Sequence, residues 1–253
     1  MCYNVLGDIM FKNIKNVDIN YEDYGEGKNT IVLLHGWGQN IEMMKPVGDK
    51  LQKNNRIIII DLPGFGKTPE PSEIWTMYDY AEMVKKLLDS LKVNNPILIG
   101  HSFGGKISLI YASKYKVKKL ILFGSPYKKK IKKLSTKTKI LKSLKKVPVL
   151  NKFEGFAKKH IGSRDYKEAS EFMRKILVDH VNLDITEDVK KIKCPTLFIW
   201  GTMDDEVPIE DAYELEKLIN DAAVIPYEGC SHYAYIERLG QTVNIIKNFV
   251  GDE

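Results

Sequence analysis

Short runs of residues that are apolar at consecutive rather than alternate positions recur along the chain, separated by segments with helical spacing. Thr30 to Leu34, Arg56 to Ile60 with its four consecutive isoleucines, Pro96 to Ile99, Leu120 to Phe123 and Thr196 to Trp200 are such runs. Strands apolar on both faces suit a parallel sheet covered by helices on each side. Residues 17–24 read as an earlier strand ending at Gly25-Glu-Gly27, and Ala222 to Ile225 as a later one. Between them, Met77, Tyr80, Ala81, Val84, Leu87, Leu88 and Leu91 form one apolar stripe, so a helix is predicted over Thr76 to Leu91. Thr76 and Asp79 have the spacing of a capping box at its start. Further helices are predicted up to about Tyr115, from Ile209 to Ile219 and over Thr242 to Val250. Strand and helix in alternation imply right-handed crossovers and a doubly wound, mostly parallel α/β sheet.

One stretch breaks the alternation. Residues 127–186 show no clear strand and fall between the strand at Leu120 and the one at Thr196. The chain is therefore read as a core of residues 1–126 and 187–253 with a helical insertion over 127–186. Ligands of such sheets bind at the carboxyl ends of the strands, so an insertion leaving from that edge is expected to act as a lid.

Composition changes this picture little, and charge changes it locally. At 253 residues, 43% hydrophobic and 28% charged, the chain suits one soluble α/β domain. No apolar run approaches the roughly 18 residues that span a bilayer. Met1 to Phe11 lacks the basic start and apolar centre of a secretory leader. Cys2, Cys194 and Cys230 are scattered, which suits reduced thiols in a cytoplasmic protein and neither a disulfide framework nor a metal site. The net charge is +6, yet residues 128–147 alone hold ten lysines and no acid, so the rest of the chain is mildly acidic. A single basic segment argues against general nucleic-acid binding and for a local surface role.

Candidate chemistry begins at Ile97-Leu-Ile-Gly100-His101-Ser102-Phe103-Gly104-Gly105, where an apolar run stops and a helical pattern follows at once. Gly100-x-Ser102-x-Gly104 is the spacing of a nucleophile elbow, a strained strand-to-helix turn that holds a serine hydroxyl out of the fold. A neutral hydroxyl needs a base. Of the five histidines, His35 and His101 flank glycine turns and suit packing, while His160 and His180 fall in the insertion and suit its surface or the lid. His232, in Glu228-Gly-Cys-Ser-His232 after a late strand, is the candidate base. An acid must orient it, and Gly201-Thr-Met-Asp204-Asp205-Glu206-Val-Pro208 offers three, of which Asp204 is preferred and Asp205 is the alternative. Asp205 and Glu206 also suit capping of the helix after Pro208. Oxyanion donors are expected from the backbone N–H of Phe103 and, in the loop His35-Gly36-Trp37-Gly38, that of Trp37. Gly64-Phe-Gly66-Lys67-Thr68 looks like the end of a phosphate loop, but that motif needs glycine where Asp61 stands.

Taken together, His35-Gly-Trp-Gly38, Asp61-Leu-Pro-Gly-Phe-Gly66, Gly100-His-Ser-Phe-Gly-Gly105, Gly201-Thr-Met-Asp204-Asp-Glu-Val-Pro208 and Gly229-Cys-Ser-His232-Tyr-Ala-Tyr-Ile-Glu237 resemble the α/β-hydrolase superfamily. They cover residues 20–250 in that family's Ser, acid, His order. The resemblance selects Asp204 as the acid, and serine at 102 separates the chain from relatives with an aspartate nucleophile. Ser231 stands where many relatives have glycine and is expected to be tolerated. The resemblance extends to carboxylesterases of the type that cleaves pimeloyl-carrier-protein methyl esters, which also carry His-Gly-Trp-Gly.

The expected activity is hydrolysis of a carboxylic ester or thioester with a small to medium apolar acyl group, through an acyl-enzyme and without metal or organic cofactor. Trp37, Phe103, Met203 and lid residues are the expected pocket wall. Carbon–carbon bond hydrolysis, perhydrolysis or acyl transfer on the same triad is the alternative, as is a slow receptor-like protein. Ile131, Leu134, Leu141 and Leu144 give the lysine-rich segment helical spacing. It reads either as a solvated amphipathic lid helix or as a dock for an acidic carrier protein or an anionic surface.

Overall fold

A computed structural model describes residues 9–129 and 169–251 of the chain. Its centre is one eight-stranded sheet: β1 (Ile9–Ile14), β2 (Val17–Tyr24), β3 (Asn29–Leu34), β4 (Asn55–Ile60), β5 (Ile97–His101), β6 (Lys119–Phe123), β7 (Thr196–Gly201) and β8 (Ala222–Tyr227). The spatial order is β1-β2-β4-β3-β5-β6-β7-β8. The β1–β2 and β2–β4 pairs are antiparallel and all others parallel, as the apolar runs predicted.

The runs are apolar at every position because each strand feeds two cores. Val32, Leu34, Ile58, Ile60, Leu98, Leu120, Leu122, Phe198 and Trp200 enter one cluster. Their neighbours Ile31, Leu33, Ile57, Ile59, Ile97, Ile99, Ile121, Phe123, Leu197 and Ile199 enter the other. Successive strand side chains point to opposite faces, so the period of two is hidden when both faces are covered. The first face carries α2 (Met77–Ser90), α3 (Ser102–Lys114), α4 (Glu171–Asn182), α5 (Thr186–Val189) and α6 (Ile209–Leu218). The second carries α1 (Ile41–Leu51), α7 (Ala234–Glu237) and α8 (Leu239–Val250).

The capping box at the start of α2 is present: Thr76 Oγ1 accepts from Asp79 N–H, and Asp79 Oδ2 accepts from Thr76 N–H at 2.9 Å. Two core elements fall outside the sequence reading. Strand β1 is an edge strand joined to β2 through Lys15 and Asn16, both at positive φ, as a two-residue hairpin turn requires. Helix α1 contains Pro46 and Gly48, which mask its pattern. Gly48 is needed there because a Cβ would come within 2.7 Å of the Tyr24 hydroxyl and about 3 Å of Ile57 and Ile59.

The chain steps from β3 outward to β4, then returns past β3 to β5. The order therefore reverses between β3 and β5, and loops leaving the carboxyl ends of these two strands flank the crevice that such a switch point opens. Those loops are His35–Gly38 and the His101–Ser102 turn. Helix α4 lies within the stretch expected as a lid; its N-cap Ser170 accepts from Met173 N–H at 3.1 Å, and Met173 and Ile176 are buried in the core. Most of the lysine-rich segment, with Ile131, Leu134, Leu141 and Leu144, lies outside the described residues, as does His160. Lys128 is described, and its ammonium bridges Asp211 at 3.1 Å and Glu214 on α6.

Candidate active site

Strand β5 ends at His101, and Ser102 opens α3 with φ of 50°, a left-handed conformation rare outside glycine. Strain of this kind persists only where the surroundings enforce it. They do so through close packing. A Cβ on Gly100 would lie 2.6 Å from Ser108 Oγ and 2.7 Å from Gly104 O, and one on Gly104 would lie 2.5 Å from Leu34 O. Gly104 N–H donates to His35 O at 3.0 Å, locking the first turn of α3 onto the loop after β3.

That loop is rigid for identifiable reasons. His35 is buried, and its Nε2 accepts from Leu62 N–H at 3.0 Å, so its proton sits on Nδ1 and is donated to Gly36 O at 2.7 Å. Burial lowers its pKa to about 4, against smaller opposing effects of the Gly36 carbonyl and Asp61. His35 is thus a neutral structural histidine, as its place in a glycine turn suggested. The Gly36 N–H donates to Gln39 Oε1 at 3.0 Å. The Trp37 ring packs edge-on against Phe65 (4.9 Å) and Phe103 (5.3 Å).

The expected base and acid are joined. His232 Nδ1 lies 2.7 Å from Asp204 Oδ2, and the carboxylate is buried. The second oxygen, Oδ1, accepts from Glu206 N–H at 2.9 Å and Val207 N–H at 2.8 Å. With Oδ2 placed to accept from the ring, the neutral imidazole has its proton on Nδ1 and its lone pair on Nε2. The acid turn and base loop are knitted together: Met203 N–H donates to Cys230 O at 2.9 Å, and Gly229 N–H to Thr202 Oγ1 at 3.0 Å. Ser231 donates from both N–H and Oγ to Glu237, so the residue at this position adds a tie that glycine would lack on its side chain.

His232 approaches the elbow from the β6 side. A Cβ on Gly124 would come within 2.7 Å of the His232 ring, and the ring centroids of His232 and His101 are 4.7 Å apart. Base and acid thus lie beside the residue preceding Ser102. Next to the Trp37 loop is a cleft of about 220 Å³ lined by Trp37, Gly38, Gly64, Phe65, Glu70, Ala169, Ser170 and Met173. A larger concavity, about 550 Å³, opens among Asn95, Lys116, Lys118 and Pro195 at the amino ends of the strands, away from Ser102.

Several expectations need correction or addition. His180 lies in the stretch expected as a lid but not on its surface: it is buried on α4 with its ring edge-on to Phe103 at 4.9 Å, and burial, with the Lys106 charge, holds its pKa well below 6.5. Asp205 and Glu206 do not cap α6, whose N-cap is Pro208 without a side-chain bond; Asp204 itself accepts the N–H groups of that turn. Met203 is well exposed on the acid turn, whereas the Phe103 ring is fully buried beneath Trp37. Gln39, Lys106 and Glu70 were not singled out by the sequence; only contact with distant segments reveals them. Among the described residues no three His, Cys, Asp or Glu side chains cluster as a metal ion would require, and no helix is long and apolar enough to cross a membrane.

Residues 29–142 match the family model described as alpha/beta hydrolase fold. The chain is 25% identical to 2-hydroxy-6-oxo-2,4-heptadienoate hydrolase of Pseudomonas putida, covering 94% of each chain. It is also 25% identical to the pimeloyl-[acyl-carrier protein] methyl ester esterase of Aliivibrio fischeri, covering 91% of this chain and 96% of that protein. Among solved structures, a bromoperoxidase from Bacillus anthracis superposes with a TM-score of 0.77 at 24% identity, over 97% of this chain and all of that one.

Proposed function

On the premise of an α/β-hydrolase fold, we propose that this protein is a serine hydrolase that cleaves a carboxylic ester or thioester of a small to medium apolar acyl group. The observation that carries the reading is the buried Asp204–His232 pair, 2.7 Å apart and held against Gly124 beside the elbow. Ser102 Oγ attacks the acyl carbonyl as His232 Nε2 takes its proton, and the imidazolium is stabilised by Asp204. The oxyanion forms against the N–H groups of Trp37 and Phe103, at loops already fixed before substrate arrives. Collapse passes the proton from His232 to the leaving alcohol or thiol, leaving Ser102 acylated. Water, deprotonated by His232, then releases the acid. Trp37, Phe65 and Met173 give one side of the cleft, which Glu70 and Ser170 also line, an apolar surface that supports an apolar acyl group. A small-molecule ester is the substrate favoured; an acidic carrier protein or an anionic surface is the partner to which residues 128–147 would offer charge.

A panel of p-nitrophenyl esters with Ser102→Ala as control tests the reading. Loss of such a nucleophile costs about 10⁶ in rate, so wild-type turnover in Ser102→Ala sinks it. A second reading, carbon–carbon bond hydrolysis on the same residues, is favoured by the similarity to the Pseudomonas putida hydrolase. Loss of the dienoate absorbance of 2-hydroxy-6-oxo-2,4-heptadienoate, without turnover of any ester, would select it.

A further inference from the structure

His101 is fully buried at the end of β5, immediately before Ser102, and both of its ring nitrogens face oxygens from other loops. Nδ1 lies 3.2 Å from Gln39 Oε1 and Nε2 lies 3.1 Å from the carbonyl of His232. Gln39 Oε1 is already the acceptor of Gly36 N–H, which fixes its amide orientation. The Trp37 loop also approaches this ring so closely that a Cβ on Gly36 would lie 2.8 Å from Nδ1. His101 therefore sits between the Gln39 side chain and the backbone of His232, behind Ser102, with one N–H to give to one of these two oxygens.

Resting on the serine-hydrolase reading, we propose that His101 is a positioning residue that holds the loop of the base His232 in register with the oxyanion loop. A neutral imidazole has one N–H, so it bonds one of its two oxygens at a time. The cation would serve both, but burial first, and then the repulsion a second imidazolium at His232 would add, hold the His101 pKa well below 6.5. Packing alone does not require nitrogens here. The ring contacts with His232 (4.7 Å), Tyr235 (4.9 Å) and Tyr233 (5.4 Å) would be kept by any ring of this size.

His101→Phe keeps a ring and removes both nitrogens. His101→Gln restores an N–H near the position of Nε2. With p-nitrophenyl butyrate, the Phe variant is expected to lose about 10- to 100-fold in kcat with KM within about twofold, as displacement of a catalytic group produces. Fluorophosphonate labelling of Ser102 slows by the same factor, because it reports the same attack, and the Gln variant recovers most of the loss. Wild-type kcat in His101→Phe, a change confined to KM, or a Gln variant as slow as the Phe variant overturns the proposal. If His101→Phe does not fold, His101→Leu, which also removes both nitrogens, takes its place and is expected to lower kcat likewise; unchanged kcat there overturns the proposal. A wild-type protein that neither turns over ester nor takes the label overturns the serine-hydrolase reading and this inference together. A labelled, active wild type with an equally active His101→Phe overturns the inference alone.

Discussion

Replacing Lys106 with methionine should remove one specific slope from the pH dependence of stability. Lys106 is fully buried on α3, four residues after Ser102, and its ammonium donates to His180 O at 2.7 Å and Leu183 O at 2.8 Å, at the end of α4. Burial lowers its pKa from 10.5 to about 8, against the weaker opposing pull of Asp179 and Asp184. The folded value lies below the unfolded one, so between them the unfolded chain binds more protons and stability rises with pH. Below pH 8 the full cost of keeping this charge buried is present, about 3 kcal/mol at pH 7, and about 2 kcal/mol of it is relieved by pH 9.5. Deprotonation need not break either contact, because a neutral amine retains two N–H groups for two carbonyls.

The absolute stability of Lys106→Met is a poor readout, because two changes oppose each other. The variant loses two hydrogen bonds of about 1.5–3 kcal/mol each but also sheds the buried charge. The pH slope is cleaner. Urea unfolding followed by circular dichroism at several pH values would give wild-type and variant curves. The wild-type stability minus that of the variant is expected to grow by about 2 kcal/mol from pH 7 to 9.5. Taking the difference matters, since burial raises the thiol pKa of Cys194 and Cys230, and stability from those groups falls as pH passes the unfolded thiol value. They are common to both proteins and cancel. A difference that stays flat across the window refutes the reasoning.

Two further substitutions probe the acid and the base. Asp204→Asn can still accept from Glu206 and Val207 but would present an amide N–H to His232 Nδ1, forcing the wrong tautomer. Ester kcat should fall by about 10⁴-fold with the fold retained, read by steady-state kinetics and thermal unfolding side by side. Gly124→Ala would put a methyl 2.7 Å from the His232 ring at a backbone φ of 49° that side chains rarely adopt, so kcat should fall and the unfolding midpoint drop. An alanine variant as active as wild type would mean that His232 is free to shift without consequence.

Local pattern was enough to read much of this protein. The runs at Thr30, Arg56, Pro96, Leu120 and Thr196 are strands because only a doubly covered sheet buries five apolar runs of that length, and each was visible without its neighbours. The Thr76–Asp79 cap and the glycine spacing around Ser102 were equally local, since caps and turns are set within a few residues, whereas the choice of Asp204 over Asp205 came from the family resemblance and not from the local pattern. Elements whose stability comes from elsewhere were not legible. Helix α1 carries Pro46 and Gly48 and forms because it packs on β3 and β4, while β1 is an edge strand held by pairing with β2 and by contact with α2. Only the tertiary structure decided which polar residues are buried. His180 and Lys106 sit on segments that look amphipathic or ordinary in sequence, and meet across 74 positions. His101 reaches Gln39 across 62 positions and His232 across 131. The physical reason is that burial and hydrogen-bond partnership belong to the space between elements: the chain specifies each element nearby, but which side chains share that space depends on how the sheet order reverses between β3 and β5.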